Sequence, residues 1–224
     1  ESPGAVGIPC FALGRLIVYE LVRQIQDRCP GLPVILGGPQ ITAFAAQVFQ
    51  ECPELMLAIR GEADYSMAVL VSALEAGSSI DQVPGIVRRD ATSGEVFFGP
   101  PPDVIHDLDA VPFPARHIYQ RDLYNPMPFM MSQPKMRTER MITSRGCNWA
   151  KCRFCYQSGS YAPHYRRRSP ENVIAELRLL VEEYDAEFVF FTDDNFLRDI
   201  KWIEHFCDLY DREMFTVKWN AFGR

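Results

Sequence analysis

The stretch SRGCNWAKCRFCYQSG, residues 144–159, places Cys147, Cys152 and Cys155 within nine residues, spaced C-x4-C-x2-C. No further cysteine follows until Cys207. Thiols clustered in this way hold a metal or do catalysis. A structural zinc site takes four protein ligands, and His164 could supply the fourth. An iron–sulfur cube held by three thiolates instead leaves one iron open to a small ligand. The second tight ligand pair that structural zinc sites ordinarily carry does not follow, which favours the open cluster.

Two carboxylates offer a second chemistry. Asp193 and Asp194 end the apolar run EFVFF, at the carboxyl end of an expected strand. There they can accept hydrogen bonds from ligand hydroxyl or ammonium groups, or one of them can cap the next helix. His106 and His117 lack metal-ligand spacing and read as surface or packing residues.

Bulk composition narrows the setting. The 224 residues carry a formal charge of -6 and are 47% hydrophobic, an ordinary globular balance. That charge argues against a nucleic-acid or anionic-membrane surface. The one basic cluster, YRRRS at 165–169, reads as a solvated loop. No apolar run nears the roughly 18 residues of a membrane span, and no leader is expected. Cys29 and Cys52 precede prolines at helix ends, and Cys207 lies on an apolar helix face. Such scattered thiols fit a reducing cytoplasm better than a disulfide framework. The chain starts at Glu1 and stops after KWNAFGR, so a segment of a longer protein is expected.

These residues must be positioned by alternating elements. Over 5–76, short apolar strands (AVGIPC, LPVILGG, LMLAIRGE) alternate with helices whose apolar residues recur at helical spacing, such as Val18, Leu21, Val22 and Ile25. Strands of that kind, buried on both faces, predict a parallel α/β sheet, with ligands outside the strands' carboxyl ends. Residues 81–135 read as a hairpin around TSGE followed by a Pro-rich connection. From 136 the alternation resumes: ERMITSRG, a helix capped by Ser169 with Pro170 in its first turn, EFVFFTDDNF, IKWIEHFCDLYDRE and FTVKWNAFGR.

With Phe154 directly before Cys155, the loop resembles that of the radical SAM superfamily. There C-x3-C-x-aromatic-C follows the first strand of a partial TIM-type (β/α)6 barrel; here one more residue separates Cys147 from Cys152. FFTDDNF resembles the second motif of cobalamin-associated members. VGIPCF, PVILGGPQITAF, AIRGEADYSM, VPGIVRR and DLDAVPFPA, in this order, resemble the cobalamin-binding domain of class B radical SAM enzymes. The resemblance implies three parts: the end of a flavodoxin-like (Rossmann-type) cobalamin-binding domain at 1–80, a hairpin and linker at 81–135, and the first half of the radical SAM barrel at 136–224.

The resemblance also implies cofactors and roles. A [4Fe-4S] cluster on Cys147, Cys152 and Cys155 would bind and cleave S-adenosylmethionine, the resulting radical would activate a carbon, and cobalamin would deliver a methyl group. Phe154, Asp193, Asp194 and Arg224 fall to S-adenosylmethionine, and Cys10, Gly37, Gly38, Pro39, Gly61 and Glu62 to cobalamin. Gly37 and Gly38 would admit the cofactor's tail, or merely turn strand into helix. Gln40 stands where relatives often have histidine, and no D-x-H-x-x-G stretch supplies a lower cobalt ligand. The expected product is a methylated, formerly unactivated carbon. Ring closure or rearrangement without methyl transfer, and a non-catalytic zinc-stabilised module, are the alternatives. Expected partners are a small-molecule or peptide substrate and a reductant such as flavodoxin or ferredoxin, with no nucleic acid or membrane.

Overall fold

The computed structural model describes residues 3–120, 136–147, 149, 151–155 and 165–223. The chain forms two compact units, Glu1–Ile105 and His106–Arg224, each built around its own sheet.

In the first unit β1 (Val6–Pro9), β2 (Val34–Gly37) and β3 (Leu57–Ile59) lie side by side and parallel. They alternate with α1 (Arg15–Arg28) and α2 (Pro39–Glu51), and α3 (Asp64–Glu75) follows β3. Successive side chains of a strand face opposite ways, so β2 serves two cores. Val34 and Leu36 join Val22, Ile41, Val48 and Phe49, whereas Ile35 joins Ile59, Leu70 and Ile86. That is why the strand is an unbroken apolar run. The hairpin of β4 (Ile86–Arg89) and β5 (Val96–Phe98) continues this sheet, antiparallel beside β3. Ile86 and Val87 are buried there, so the hairpin is part of the unit's core rather than of a connection. Its turn is closed by the Asp90 carboxylate, which accepts from the N–H groups of Thr92 and Ser93.

The second unit begins with residues expected only to connect. Arg116 is buried, and its Nη2 donates to Glu176 Oε1 at 2.6 Å and to the Arg140 carbonyl at 2.9 Å. Ordering this Pro-rich stretch is therefore partly an ionic matter, beside the burial of Leu108. β6 (Thr138–Met141) opens the sheet. The two-residue strands β7 (Ser144–Arg145) and β8 (Arg166–Arg167) then pair antiparallel. After them come α4 (Pro170–Glu182), β9 (Phe188–Phe191), α5 (Ile200–Arg212) and β10 (Lys218–Ala221). β9 lies between β6 and β10, and all three are parallel. This is the start of a β/α series that winds in one direction, as barrels do. Ser169 caps α4 by accepting from the Asn172 N–H, as its position before Pro170 indicates. Val173, Leu177, Val189, Phe191 and Phe206 are among the buried residues that close the core. Among the described residues, no helix is long and apolar enough to cross a membrane.

Candidate functional site

The cysteine loop leaves the carboxyl end of β6 and returns through β8. Its two ends are sewn together by the pairing of Ser144 with Arg167 and of Arg145 with Arg166. Cys147, Cys152 and Cys155 form no disulfide and are each half-buried, and the Cys155 N–H donates to the Cys152 carbonyl at 3.0 Å in a tight turn. Among the described residues, no three Cys, His, Asp or Glu side chains converge as a ready-made metal site. Thiol ligands commonly gather only as the metal binds, since deprotonated sulfurs repel one another without it. Three accessible thiols in one tied loop suit an iron–sulfur cluster. Phe154 is 94% exposed, so its ring is available to a ligand. His164, the alternative fourth ligand, lies outside the described residues, as does Arg224.

The two carboxylates after β9 separate in role. Asp193 is 1% exposed. It accepts from the Thr143 N–H at 3.1 Å, from the Thr143 hydroxyl at 2.7 Å and from the Ser144 hydroxyl at 2.5 Å. It therefore fixes the first residues of the cysteine loop instead of reaching outward. Asp194 is exposed at the same strand end. Neither caps α5; Asp199 does, accepting from the Trp202 N–H.

In the first unit the three strand ends are tied to each other. The Cys10 N–H donates to the Gly37 carbonyl, and the Gln40 N–H donates to the Cys10 carbonyl. The Thr42 hydroxyl donates to the Gly38 carbonyl and accepts from the Gly61 N–H. Cys10, assigned to cobalamin on sequence grounds, has its thiol fully buried in the core, and burial pushes that thiol's pKa up. Only its backbone meets the turn. Gly38 has φ +90, and a Cβ there would stand 3.1 Å from the Cys10 carbonyl oxygen. Its lack of a side chain thus serves the turn between strands. Gly37 differs, since a Cβ would meet nothing closer than the Ile59 oxygen at 3.8 Å. Pro39 opens α2 behind Gly38. Gly61 has φ +77 and lies against Pro102, and Glu62 accepts from the Ile105 N–H.

Two arginines stand at these sites: Arg60, which the motif reading passed over, and Arg167. The latter reads within YRRRS as part of a solvated loop, although Arg166 and Arg168 are buried and Arg167 is half-buried. Arg60 ends the apolar LAI run at the same edge as Gly37 and Gly61. Its Nε is buried with no partner among the described residues, and burial pulls its pKa below the arginine norm. An orphaned donor at the strand-end edge suits a ligand rich in acceptors, such as the amides and phosphate of cobalamin. Arg167 is the other, at the base of the cysteine loop. A charge directly after an apolar strand, and a basic run directly after a cysteine loop, were the available signals.

Residues 141–222 match the Radical SAM superfamily. The whole chain is 28% identical to an uncharacterized methyltransferase of Pyrococcus horikoshii, of which it covers 46%. It is 29% identical, over 98% of its length and 38% of the other's, to the anaerobic magnesium-protoporphyrin IX monomethyl ester cyclase of Rubrivivax gelatinosus. The chain thus spans less than half the length of these relatives. Its fold is similar to that of the cobalamin-dependent S-adenosylmethionine radical enzyme OxsB, solved with aqua-cobalamin and S-adenosylmethionine bound. That likeness has a TM-score of 0.75 at 20% identity and covers 97% of this chain and 30% of that one. Residues 141–222 thus match the Radical SAM superfamily, in a chain similar along its length to a methyltransferase and a cyclase and sharing the fold of OxsB.

Proposed function

We propose that the protein is a radical SAM methyltransferase that methylates an unactivated carbon, using a [4Fe-4S] cluster, S-adenosylmethionine and cobalamin. One observation carries the reading. Three half-buried thiols share a loop tied off at the carboxyl end of the first strand of a parallel β/α series. Cys147, Cys152 and Cys155 would hold the cluster, and Phe154 and Asp194 lie exposed beside it for S-adenosylmethionine. Asp193 and Thr143 keep the loop's root in place. When bound, these groups supply reductive cleavage of the sulfonium and the methyl group.

The first unit supports the cobalamin half. Its one-directional parallel strands fit the end of a flavodoxin-like domain, and its strand ends gather Gly37, Gly61 and the orphaned Arg60 donor at one edge. Ligands of open parallel sheets bind there. The proposal extends to a small-molecule or peptide substrate, a flavodoxin- or ferredoxin-type reductant and a reducing cytoplasm, with neither nucleic acid nor membrane.

A second reading, ring closure without methyl transfer, is supported by the 29% identity to a cyclase over nearly the whole chain. Anaerobically reconstituted full-length protein tests both. About four irons and four sulfides per chain are expected, and these should disappear when Cys147, Cys152 and Cys155 are all replaced by alanine. Retained iron in that variant would sink the assignment. A methylated product with S-adenosylhomocysteine and 5′-deoxyadenosine supports methyl transfer; 5′-deoxyadenosine alone, with a ring-closed product, supports the cyclase.

A further inference from the structure

Arg167 stands opposite Ser144 where the two ends of the cysteine loop pair. The guanidinium is held on one side only. It lies over the Trp202 ring, 3.6 Å from the centroid, and its Nη2 donates to the Phe196 carbonyl at 2.8 Å. Its Nε and Nη1 and the hydroxyl of Tyr165 are buried without a well-formed hydrogen bond, although the Tyr165 oxygen lies close enough to Arg167 and Ser144 to interact with both. Asp193 and Asp199 are close enough to favour the charged guanidinium, yet desolvation outweighs them. Asp193 is already engaged by Thr143 and Ser144.

Buried donors left without a full hydrogen bond are costly, so this loop base calls for a further acceptor. Charge points the same way. Residues 144–168 contain six Lys or Arg and no Asp or Glu, in a chain of net charge -6. A loop base of this kind suits an anion with several acceptor atoms.

We propose that Arg167, with Tyr165, donates to the sulfurs of the iron–sulfur cluster and raises its reduction potential. The inference rests on the cluster reading of Cys147, Cys152 and Cys155. A thiolate-bound cluster is anionic and gains a further negative charge when a one-electron donor reduces it. A neighbouring cation and N–H···S bonds therefore stabilise the reduced form. Trp202 and the Phe196 carbonyl hold the guanidinium in place, so Arg167 is a positioning and tuning group rather than a cluster ligand.

The test is a dithionite redox titration of anaerobically reconstituted full-length protein, followed by EPR without S-adenosylmethionine. Arg167→Gln should keep its iron and sulfide content. At the wild-type midpoint its reduced-to-oxidised ratio should fall about tenfold, equivalent to 59 mV for one electron. Arg167→Lys, which keeps the charge but loses the guanidinium fork, should shift less. Tyr165→Phe removes one donor and no charge, and should give a small shift in the same direction, so the test survives if Arg167→Gln misfolds. An unchanged midpoint in a loaded Arg167→Gln protein, or in Tyr165→Phe where the arginine variant fails to fold, would overturn the proposal. So would an unchanged midpoint with weakened S-adenosylmethionine binding, which would assign the donors to that ligand's carboxylate. If wild-type protein gathers no iron, it is the cluster reading that fails.

Discussion

Asp193 and Thr143 are fifty residues apart in sequence, yet the carboxylate of one takes both the backbone N–H and the hydroxyl of the other. This fastens the end of β9 to the residue that leads from β6 into the cysteine loop. Charge-assisted hydrogen bonds of this kind are among the stronger ones in a protein interior. Asp193→Ala should therefore cost about 2–3 kcal/mol, from lost bonds and from donors left buried. The urea midpoint should fall, and iron per folded chain after reconstitution should fall with it. Full iron loading in a destabilised Asp193→Ala protein would show that the fastening serves the fold alone.

Glu176, 1% exposed on α4, accepts from Arg116 at 2.6 Å and from Arg168 at 2.5 Å. Glu176→Gln takes the carboxylate from Arg168 and leaves Arg116 only its longer pair with Glu139 at 3.5 Å. Breaking a buried pair by removing one partner costs about 3–5 kcal/mol. Chemical denaturation should show that loss, whereas Glu213→Gln, at an exposed pair with Arg178, should leave the midpoint nearly where it was.

Gly38 and Gly37 should respond differently to the same added methyl group. At φ +90 and ψ -173, Gly38 sits where residues with a Cβ are strained by about 1–3 kcal/mol. Gly38→Ala also pushes a methyl against the Cys10 backbone. Its thermal midpoint should drop by several degrees, while Gly37→Ala should melt like wild type. For that reason Gly37, not Gly38, is the position at which to probe cobalamin binding with hydroxocobalamin titrations.

Thiol labelling separates the cysteines by environment. Burial, with the Glu54 charge adding to it, pushes Cys52 up to about 11, and burial raises Cys10 as well. A raised value means less thiolate, so at pH 8 on the order of one Cys52 in a thousand is ionised. Iodoacetamide at that pH should modify exposed Cys29 and the iron-free loop cysteines, and spare Cys10 and Cys52. Peptide mass spectrometry reads this directly. Reconstitution should then protect Cys147, Cys152 and Cys155 while Cys29 stays reactive.

Elements that rest on local pattern were legible in the sequence. The alternating apolar strands and helices, the TSGE hairpin and the Ser169 cap all appear where spacing and turn chemistry put them. The cysteine loop was legible from residue type alone. What escaped were relations settled by distant partners. Asp193 reads as an outward carboxylate until Thr143 and Ser144 are brought against it. Arg116 sits in a Pro-rich stretch with no local sign of burial, because its partners Glu139 and Glu176 come from β6 and α4. Gly38 reads as room for a ligand, whereas its missing side chain makes room for the Cys10 backbone.

The short pairing of β7 with β8 has an evolutionary side. It anchors the chain before the first cysteine and after the last, so the spacing of the cysteines is not tied to the register of the parallel sheet. With the ends fixed, one more residue adds only about 0.05 kcal/mol of closure entropy, since that cost grows with the logarithm of length. Selection can thus lengthen or shorten the interval between Cys147 and Cys152 at almost no thermodynamic penalty. The same insertion inside β6 would turn the side chains beyond it to the opposite face.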